Sequence, residues 1–189
     1  AQVTGFAEIA DVRTQHTKEL IEKHYAKYTP SGTWNGLNIT RDYLELLEDK
    51  SLDAVLIATP DHWHGEPTIR AARAGKHVYC EKPVSLTIRE GRAMVNAVKE
   101  NKIVFQTGSQ QRTEYGGKFR RTVELVRSGA IGELKKIRDS VGAPPNTCDL
   151  PTEPIPEGID WDAWLGPAPK RGFNKILCPD DVHNHFPAW

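Results

Sequence analysis

The stretch Ser51–Pro83, SLDAVLIATPDHWHGEPTIRAARAGKHVYCEKP, decides the fold of this chain. Its segment 53–59, DAVLIAT, is a nearly continuous apolar run without alternation, which predicts a strand covered on both faces, as in a parallel sheet. Glu66–Ala74 predicts a short helix that ends at Gly75, and 77–80 predicts the next strand. Strand, helix and strand in this order indicate a βαβ unit of an α/β fold.

Polar residues cluster where each predicted strand ends. Asp61, His62 and His64 follow the first strand, and Glu81 and Lys82 follow the second. In open α/β sheets, ligands bind outside the carboxyl ends of the strands. We therefore expect the reactive side chains of this chain at that edge of the sheet.

The pattern ATPDHWHGEPTIRAARAGKHVYCEKP closely resembles the glucose-fructose oxidoreductase / inositol dehydrogenase (Gfo/Idh/MocA) family of NAD(P)-dependent sugar oxidoreductases. The shared elements are Thr59-Pro60, His64, Gly75-Lys76-His77-Val78 and Glu81-Lys82-Pro83, and the resemblance runs from about Phe6 to the last residue. It implies an α/β fold, with a Rossmann-type doubly wound parallel sheet in residues 1–131. Residues 132–189 would begin an α+β substrate domain with a mainly antiparallel sheet.

The resemblance implies a catalytic role for Lys82 at the cofactor and substrate. A lysine ammonium beside the nicotinamide can hydrogen-bond a sugar hydroxyl and stabilise the alkoxide that develops as hydride leaves. The alternative is an ordinary exposed surface lysine. By the same resemblance, Glu81 lies near the nicotinamide ribose, and Thr59 and Pro60 line the path of the dinucleotide, mainly through their backbone.

Three further residues match cofactor-binding positions less directly. His64 is expected beside the cofactor, with a purely structural histidine as the alternative. Arg112 follows the predicted strand 103–108 and could meet cofactor or substrate, or form a salt bridge. Trp189 is a cofactor candidate by family position, although a tryptophan is often simply core or interface.

Asp11 stands at the end of the predicted strand 6–10. An acidic residue there accepts hydrogen bonds from the adenosine ribose in a dinucleotide fold; the alternative is an aspartate in a turn. Arg13 could reach a 2′-phosphate, but Asp11 favours NAD over NADP. The glycine-rich phosphate loop that precedes such an acidic residue is absent from 1–10, where the single glycine is Gly5. We therefore expect a chain truncated at both ends and inactive by itself.

Several other elements follow from local patterns. Amphipathic spacing predicts helices at 16–28 and 115–128, and Thr40 predicts the cap of a helix that ends at Leu47. Thr87 and Glu90 form a capping-box pattern before another helix. Alternation over 132–141 predicts a strand with one wet face, and the domain boundary is placed near Gly132.

Composition excludes some partner classes. The net charge is zero and charged residues are 26%, which gives no electrostatic reason to expect nucleic acid or an anionic membrane. No run approaches the roughly 18 apolar residues of a membrane helix. Three scattered cysteines leave one disulfide possible but favour free thiols. No signal segment is visible in this chain, and both the cytoplasm and export to the periplasm stay open as its compartment. By resemblance, we expect the full-length protein to form homo-oligomers.

The resemblance implies reversible hydride transfer between NAD(P), with NAD favoured, and a hydroxyl carbon of a sugar or cyclitol. Two alternatives stay open: an NAD-dependent glycosidase of the same family with no net redox change, and a non-catalytic binding protein on the same scaffold. The pairs His62-x-His64 and His183-x-His185 suggest zinc, but no carboxylate-histidine helix motif accompanies them, and we predict no metal site.

Overall fold

The computed structural model describes residues 1–27, 34–111, 113–140 and 148–179. Two parallel sheets form its frame. The first pairs β1 (Gly5–Ala7) with β2 (Asn38–Thr40), and the second orders β3 (Ala54–Ile57), β4 (His77–Glu81) and β5 (Phe105–Gly108) as neighbours. This is the α/β class that the central stretch predicts.

Helices connect the strands and follow them along the chain. They are α1 (Asp11–Tyr25), α2 (Tyr43–Glu48), α3 (Gly65–Arg73), α4 (Ile88–Asn101), α5 (Lys118–Arg127) and α6 (Trp161–Leu165), with short 3-10 turns at Asp61–Trp63 and Tyr115–Gly117. Among the described residues, no helix is both long and apolar enough to cross a bilayer.

Local signals of the central stretch and of the helix that follows it are confirmed. Helix α3 ends at Arg73, one residue before the predicted end, and Gly75 lies just after its cap with φ +75°, a backbone angle that favours glycine. Thr87 caps α4, accepting from the Glu90 amide at 3.1 Å, while the Glu90 carboxylate accepts from the Leu86 amide at 2.8 Å. These residues therefore close the amino end of α4 in the manner of a capping box.

Three predictions about elements are wrong. Asp42, not Thr40, caps α2, because Asn38–Thr40 is a strand and the helix begins after it. Helix α1 begins at Asp11, five residues before the predicted start. The alternating segment 132–140 forms no strand, since no partner strand in the described ranges pairs with it, and a strand needs a partner for its backbone groups.

The core between the second sheet and its helices lies on one face of that sheet. Its buried members are Ile57, Ala71, Ala72, Val78, Cys80, Ala97 and Ile103. The predicted burial of β3 on both faces is wrong, because Leu56 is 69% exposed and no described element covers that face. The three cysteines form no disulfide, as predicted.

A second core joins α6 to the segment that follows it. The indole rings of Trp161 and Trp164 stack with centroids 4.7 Å apart, and Phe173 meets Trp161 edge-on at 5.2 Å. The Trp161 indole N–H donates to the Arg171 carbonyl at 2.8 Å, which satisfies a polar group inside this core. An isolated antiparallel bridge, Ala10 to Ile159, connects this unit to the end of β1.

Candidate active site

The carboxyl ends of β3 and β4 are held together by His64. Its ring is buried, with 1% of the residue exposed, and it lies between two backbone carbonyls. Nε2 is 2.9 Å from the Thr59 carbonyl, and Nδ1 is hydrogen-bonded to the Pro83 carbonyl. The side chain therefore connects the turn after β3 to the segment after β4, and both of its nitrogens face the backbone.

Glu81 and Lys82 come at the end of β4, where the chain leaves the sheet. Glu81 pairs in register with Gly108 of β5, and its carboxylate accepts a hydrogen bond from the Gln110 amide group. A Cβ at Gly108 would lie 2.7 Å from Glu81 Oε1, so glycine makes room for that carboxylate. Lys82 is exposed, and a cis peptide bond joins it to Pro83.

A cavity lies beside the end of the neighbouring strand β5. Its volume is about 470 Å³, and it is lined by Tyr79, Gln106, Thr107, Ser109, Gln110, Thr113 and Glu114. Thr59, exposed, and Pro60, half-buried, follow β3 at the same edge of the sheet. The predicted residues Thr59, Pro60, His64, Glu81 and Lys82 thus gather at the carboxyl edge of β3 and β4.

Asp11 lies at the carboxyl edge of the first sheet, as the first residue of α1. Its carboxylate is paired with the Arg41 guanidinium, and its amide donates to the Gly158 carbonyl at 3.1 Å. Arg13 points elsewhere: its guanidinium donates to the Pro179 carbonyl at 2.7 Å. Residues two apart on a helix do not share a face, which explains why Arg13 does not join the Asp11 group.

Arg41 is a residue that the sequence analysis missed. It follows β2 directly, and β2 was not predicted, so nothing marked Arg41 as a strand-end side chain. With Asp11 it lines a cavity of about 620 Å³ together with Ile155, Gly158, Ile159, Asp160, Trp161 and Asp162. Recognition of strand 38–40 would have placed Arg41 at the same edge as Asp11.

His62 and Trp63 join this region to α6. His62 Nε2 donates to the Trp164 carbonyl at 2.7 Å, and the Trp63 indole N–H is shared between the Ala163 and Trp164 carbonyls at 3.0 and 2.9 Å. A Cβ at Gly166 would lie 2.0 Å from the Trp63 ring. The residues after β3 therefore hold the carboxyl end of α6 closely.

Burial perturbs several titratable groups around the sheet. Desolvation lowers the pKa of His62, and it raises the pKa of the Cys80 thiol, which is directed into the core. Burial and the nearby Glu66 carboxylate raise the pKa of Tyr43 to about 12. Each of these shifts favours the neutral form of its side chain near pH 7.

Other predicted residues lie outside the described ranges. They are Arg112, Trp189 and the histidines of His183-x-His185. Within the described ranges, no group of three or more histidine, cysteine, aspartate or glutamate side chains is placed to hold a metal ion.

The sequence model of an oxidoreductase family, described as having an NAD-binding Rossmann fold, matches residues 4–109, more than half of the chain. The chain belongs to the Gfo/Idh/MocA oxidoreductase family. The matched range includes the strand edges that carry Asp11, Thr59, Glu81 and Lys82. An exposed carboxylate lies beside a cavity of about 620 Å³, and an exposed lysine lies at the other strand edge.

Individual members of the family show the range of this similarity. The chain is 37% identical over 111 residues to a scyllo-inositol 2-dehydrogenase (NAD(+)) of Bacillus subtilis, covering 56% of this chain and 31% of that protein. It is 35% identical over 136 residues to a 2,7-anhydro-N-acetylneuraminate hydratase of Escherichia coli, covering 68% of this chain and 34% of that protein. The chain spans 25% to 38% of the lengths of the curated relatives compared.

A solved structure gives the same architecture. A 3-ketoreductase from Actinomadura kijaniata, in complex with NADP and TDP-benzene, is 25% identical with a TM-score of 0.55, covering 70% of this chain and 36% of that one. The family assignment therefore includes relatives described with each of the two dinucleotides.

Proposed function

We propose that this chain forms part of an NAD-dependent oxidoreductase that transfers hydride between the nicotinamide and a hydroxyl carbon of a sugar or cyclitol. The observation that carries this proposal is the gathering of Thr59, His64, Glu81 and Lys82 at one carboxyl edge of the parallel sheet. That edge is where α/β folds bind ligands. The inositol dehydrogenase relative supports a polyol substrate.

Lys82 is the residue proposed to act on the substrate. Its ammonium is exposed at the sheet edge, whereas its neighbour Glu81 is held by Gln110. A positive charge there stabilises the negative charge that builds up on a hydroxyl oxygen as its proton leaves. When bound, the nicotinamide supplies the acceptor for the hydride.

His64 is proposed as a positioning residue rather than as a direct cofactor ligand. Its two nitrogens face the Thr59 and Pro83 carbonyls, so the ring fixes the backbone on either side of the proposed site. Asp11 is proposed to accept from the adenosine ribose, as an acidic residue at the end of the second Rossmann strand does.

A second candidate function is a reaction with no net redox change, such as glycoside cleavage through transient oxidation. The similarity to the 2,7-anhydro-N-acetylneuraminate hydratase favours it, because that enzyme is named for a hydration. The two candidates differ in one observable. Net reduction of NAD during turnover supports the dehydrogenase, and product formation at constant nicotinamide absorbance supports the second function.

Titration with NADH, followed by nicotinamide fluorescence, tests the proposal. We expect saturable binding that Lys82→Ala weakens, and, in the full-length protein, turnover of myo-inositol with NAD that falls by about 10² or more in this variant. Lys136→Ala, a change at another exposed lysine, is the matched control and should leave both quantities unchanged. Absence of saturable NADH binding, or equal binding and turnover in Lys82→Ala, would overturn the proposal.

A further inference from the structure

Two strands of the first sheet bring opposite charges together. β1 and β2 run parallel with Ala7 opposite Thr40, so the residues that follow them meet at one edge. Arg41 pairs with Asp11 across this edge, and its guanidinium also donates to the Ile9 and Gly158 carbonyls, each at 3.3 Å. Arg41 is therefore fixed in direction by three acceptors on two parts of the chain.

This pair contributes little to folding. The Asp11 and Arg41 side chains are 70% and 49% exposed. Exposed ion pairs are worth about 0–1 kcal/mol, because solvent screens the charges and ordering long side chains costs entropy. Both side chains instead line the cavity of about 620 Å³. Their placement therefore needs a reason other than stability, and a ligand in this cavity supplies one.

The other charged residues that line the cavity are already occupied. The Asp160 carboxylate accepts from the Ala163 amide at 2.9 Å and caps α6, and the Asp162 carboxylate pairs with Lys170 at 2.5 Å. Arg41 is the only cationic residue among the described residues that line this cavity. A phosphate entering the cavity would therefore find its hydrogen-bond donors chiefly at Arg41, against the repulsion of Asp11.

We propose that Arg41 is a specificity-determining residue that recognises the 2′ position of the adenosine ribose, with Asp11 restraining it. This inference rests on the proposed function. The Asp11 carboxylate favours a 2′-hydroxyl, which can donate to it, and disfavours the roughly −1.5 to −2 charge of a phosphate monoester. A guanidinium fork matches a phosphate bidentately, so Arg41 released from Asp11 recognises the 2′-phosphate of NADP.

The alternative position for this recognition is Arg13, two residues after Asp11. Its guanidinium donates to the Pro179 carbonyl and lies 4.0 Å from Cys178 Sγ, so it is directed to the chain after α6. Arg13 is not among the residues that line the cavity. The geometry therefore assigns the 2′ recognition to Arg41 and leaves Arg13 as a matched control.

The test compares NADH and NADPH affinities by fluorescence titration of the full chain. We expect the unmodified protein to favour NADH, and Asp11→Ser to shift the affinity ratio toward NADPH by about tenfold or more, since hydrogen bonds to charged groups have that strength. The double variant Asp11→Ser/Arg41→Gln should lose this shift, and the double variant Asp11→Ser/Arg41→Lys should retain only part of it. Arg13→Gln should leave the ratio unchanged.

The results separate this inference from the proposed function. If NADH binds but Asp11→Ser produces no shift, or the shift persists without Arg41, the inference is overturned while the proposed function stands. If neither dinucleotide binds, both are overturned. Circular dichroism melts of each variant verify folding, which the exposure of both side chains leads us to expect. A phosphate contact at Arg41 should also weaken as salt is raised, because exposed charges are screened.

Discussion

Replacement of His64 by leucine tests the role of the buried ring between β3 and β4. The ring is 1% exposed and faces two carbonyls, those of Thr59 and Pro83. A neutral imidazole donates from one of its two nitrogens, so the ring satisfies one of these carbonyls. A glutamine amide group can replace that donor, whereas leucine carries none, so His64→Leu should leave one buried carbonyl without a donor.

The expected cost follows from that count. A buried acceptor left unsatisfied costs about 1–3 kcal/mol, so His64→Leu should lower the free energy of unfolding by about that amount more than His64→Gln does. His64→Ala also leaves a cavity and should cost more than His64→Leu. Since domains are stable by only about 5–15 kcal/mol, the alanine variant could unfold, and leucine is the more informative change.

Urea denaturation followed by tryptophan fluorescence measures the difference. The midpoint should fall in His64→Leu while the slope stays constant, because the surface exposed on unfolding is nearly unchanged. His24→Leu, at an exposed position in the last turn of α1, is the control and should shift the free energy by no more than about 0.5 kcal/mol. If His64→Leu shifts the free energy as little as His24→Leu, or no more than His64→Gln, the ring does not donate to either carbonyl.

Two further predictions concern the contact between the turn after β3 and α6. In urea denaturation, Gly166→Ala should destabilise the protein by about 1–3 kcal/mol more than Gly129→Ala, because a Cβ at position 166 would lie 2.0 Å from the Trp63 ring. Gly129 is the matched control, since it also has a positive φ but faces open space. Burial lowers the pKa of His62 below its ordinary value of 6.5. As the pH drops below 6.5, His62 therefore binds a proton more readily in the unfolded chain than in the folded one, and the free energy of unfolding should fall. Thermal melts from pH 8 to pH 5 should show this loss, and a loss of equal size in His62→Gln would exclude His62 as its source.

Local patterns predicted the central unit because its signals lie within a few residues of one another. The apolar run of β3, the glycine after α3 and the cap of α4 each act on the nearest turn of the chain. The order of polar residues after the strands placed Glu81 and Lys82 at the carboxyl edge. These features need only the neighbouring sequence, so they could be predicted before the tertiary structure was known.

Long-range partners could not be predicted in the same way. Periodicity marked β3 as a strand covered on both faces, but Leu56 is exposed, because coverage depends on which elements pack against the sheet. The docking of Trp63 on α6 joins residues about a hundred positions apart, and no spacing rule connects them. The strand that positions Arg41 is three residues long, too short to show a clear period.

The sequence by itself determined the family, the parallel α/β fold and the strand edge at which Lys82 lies. Only the tertiary structure decided that Arg41, thirty residues away, is the partner of Asp11, and that the nearby Arg13 is directed elsewhere. The physical reason is that strand and helix signals arise from local backbone geometry. Side-chain partners are set by which strand ends meet in space, and that depends on the packing of the whole chain.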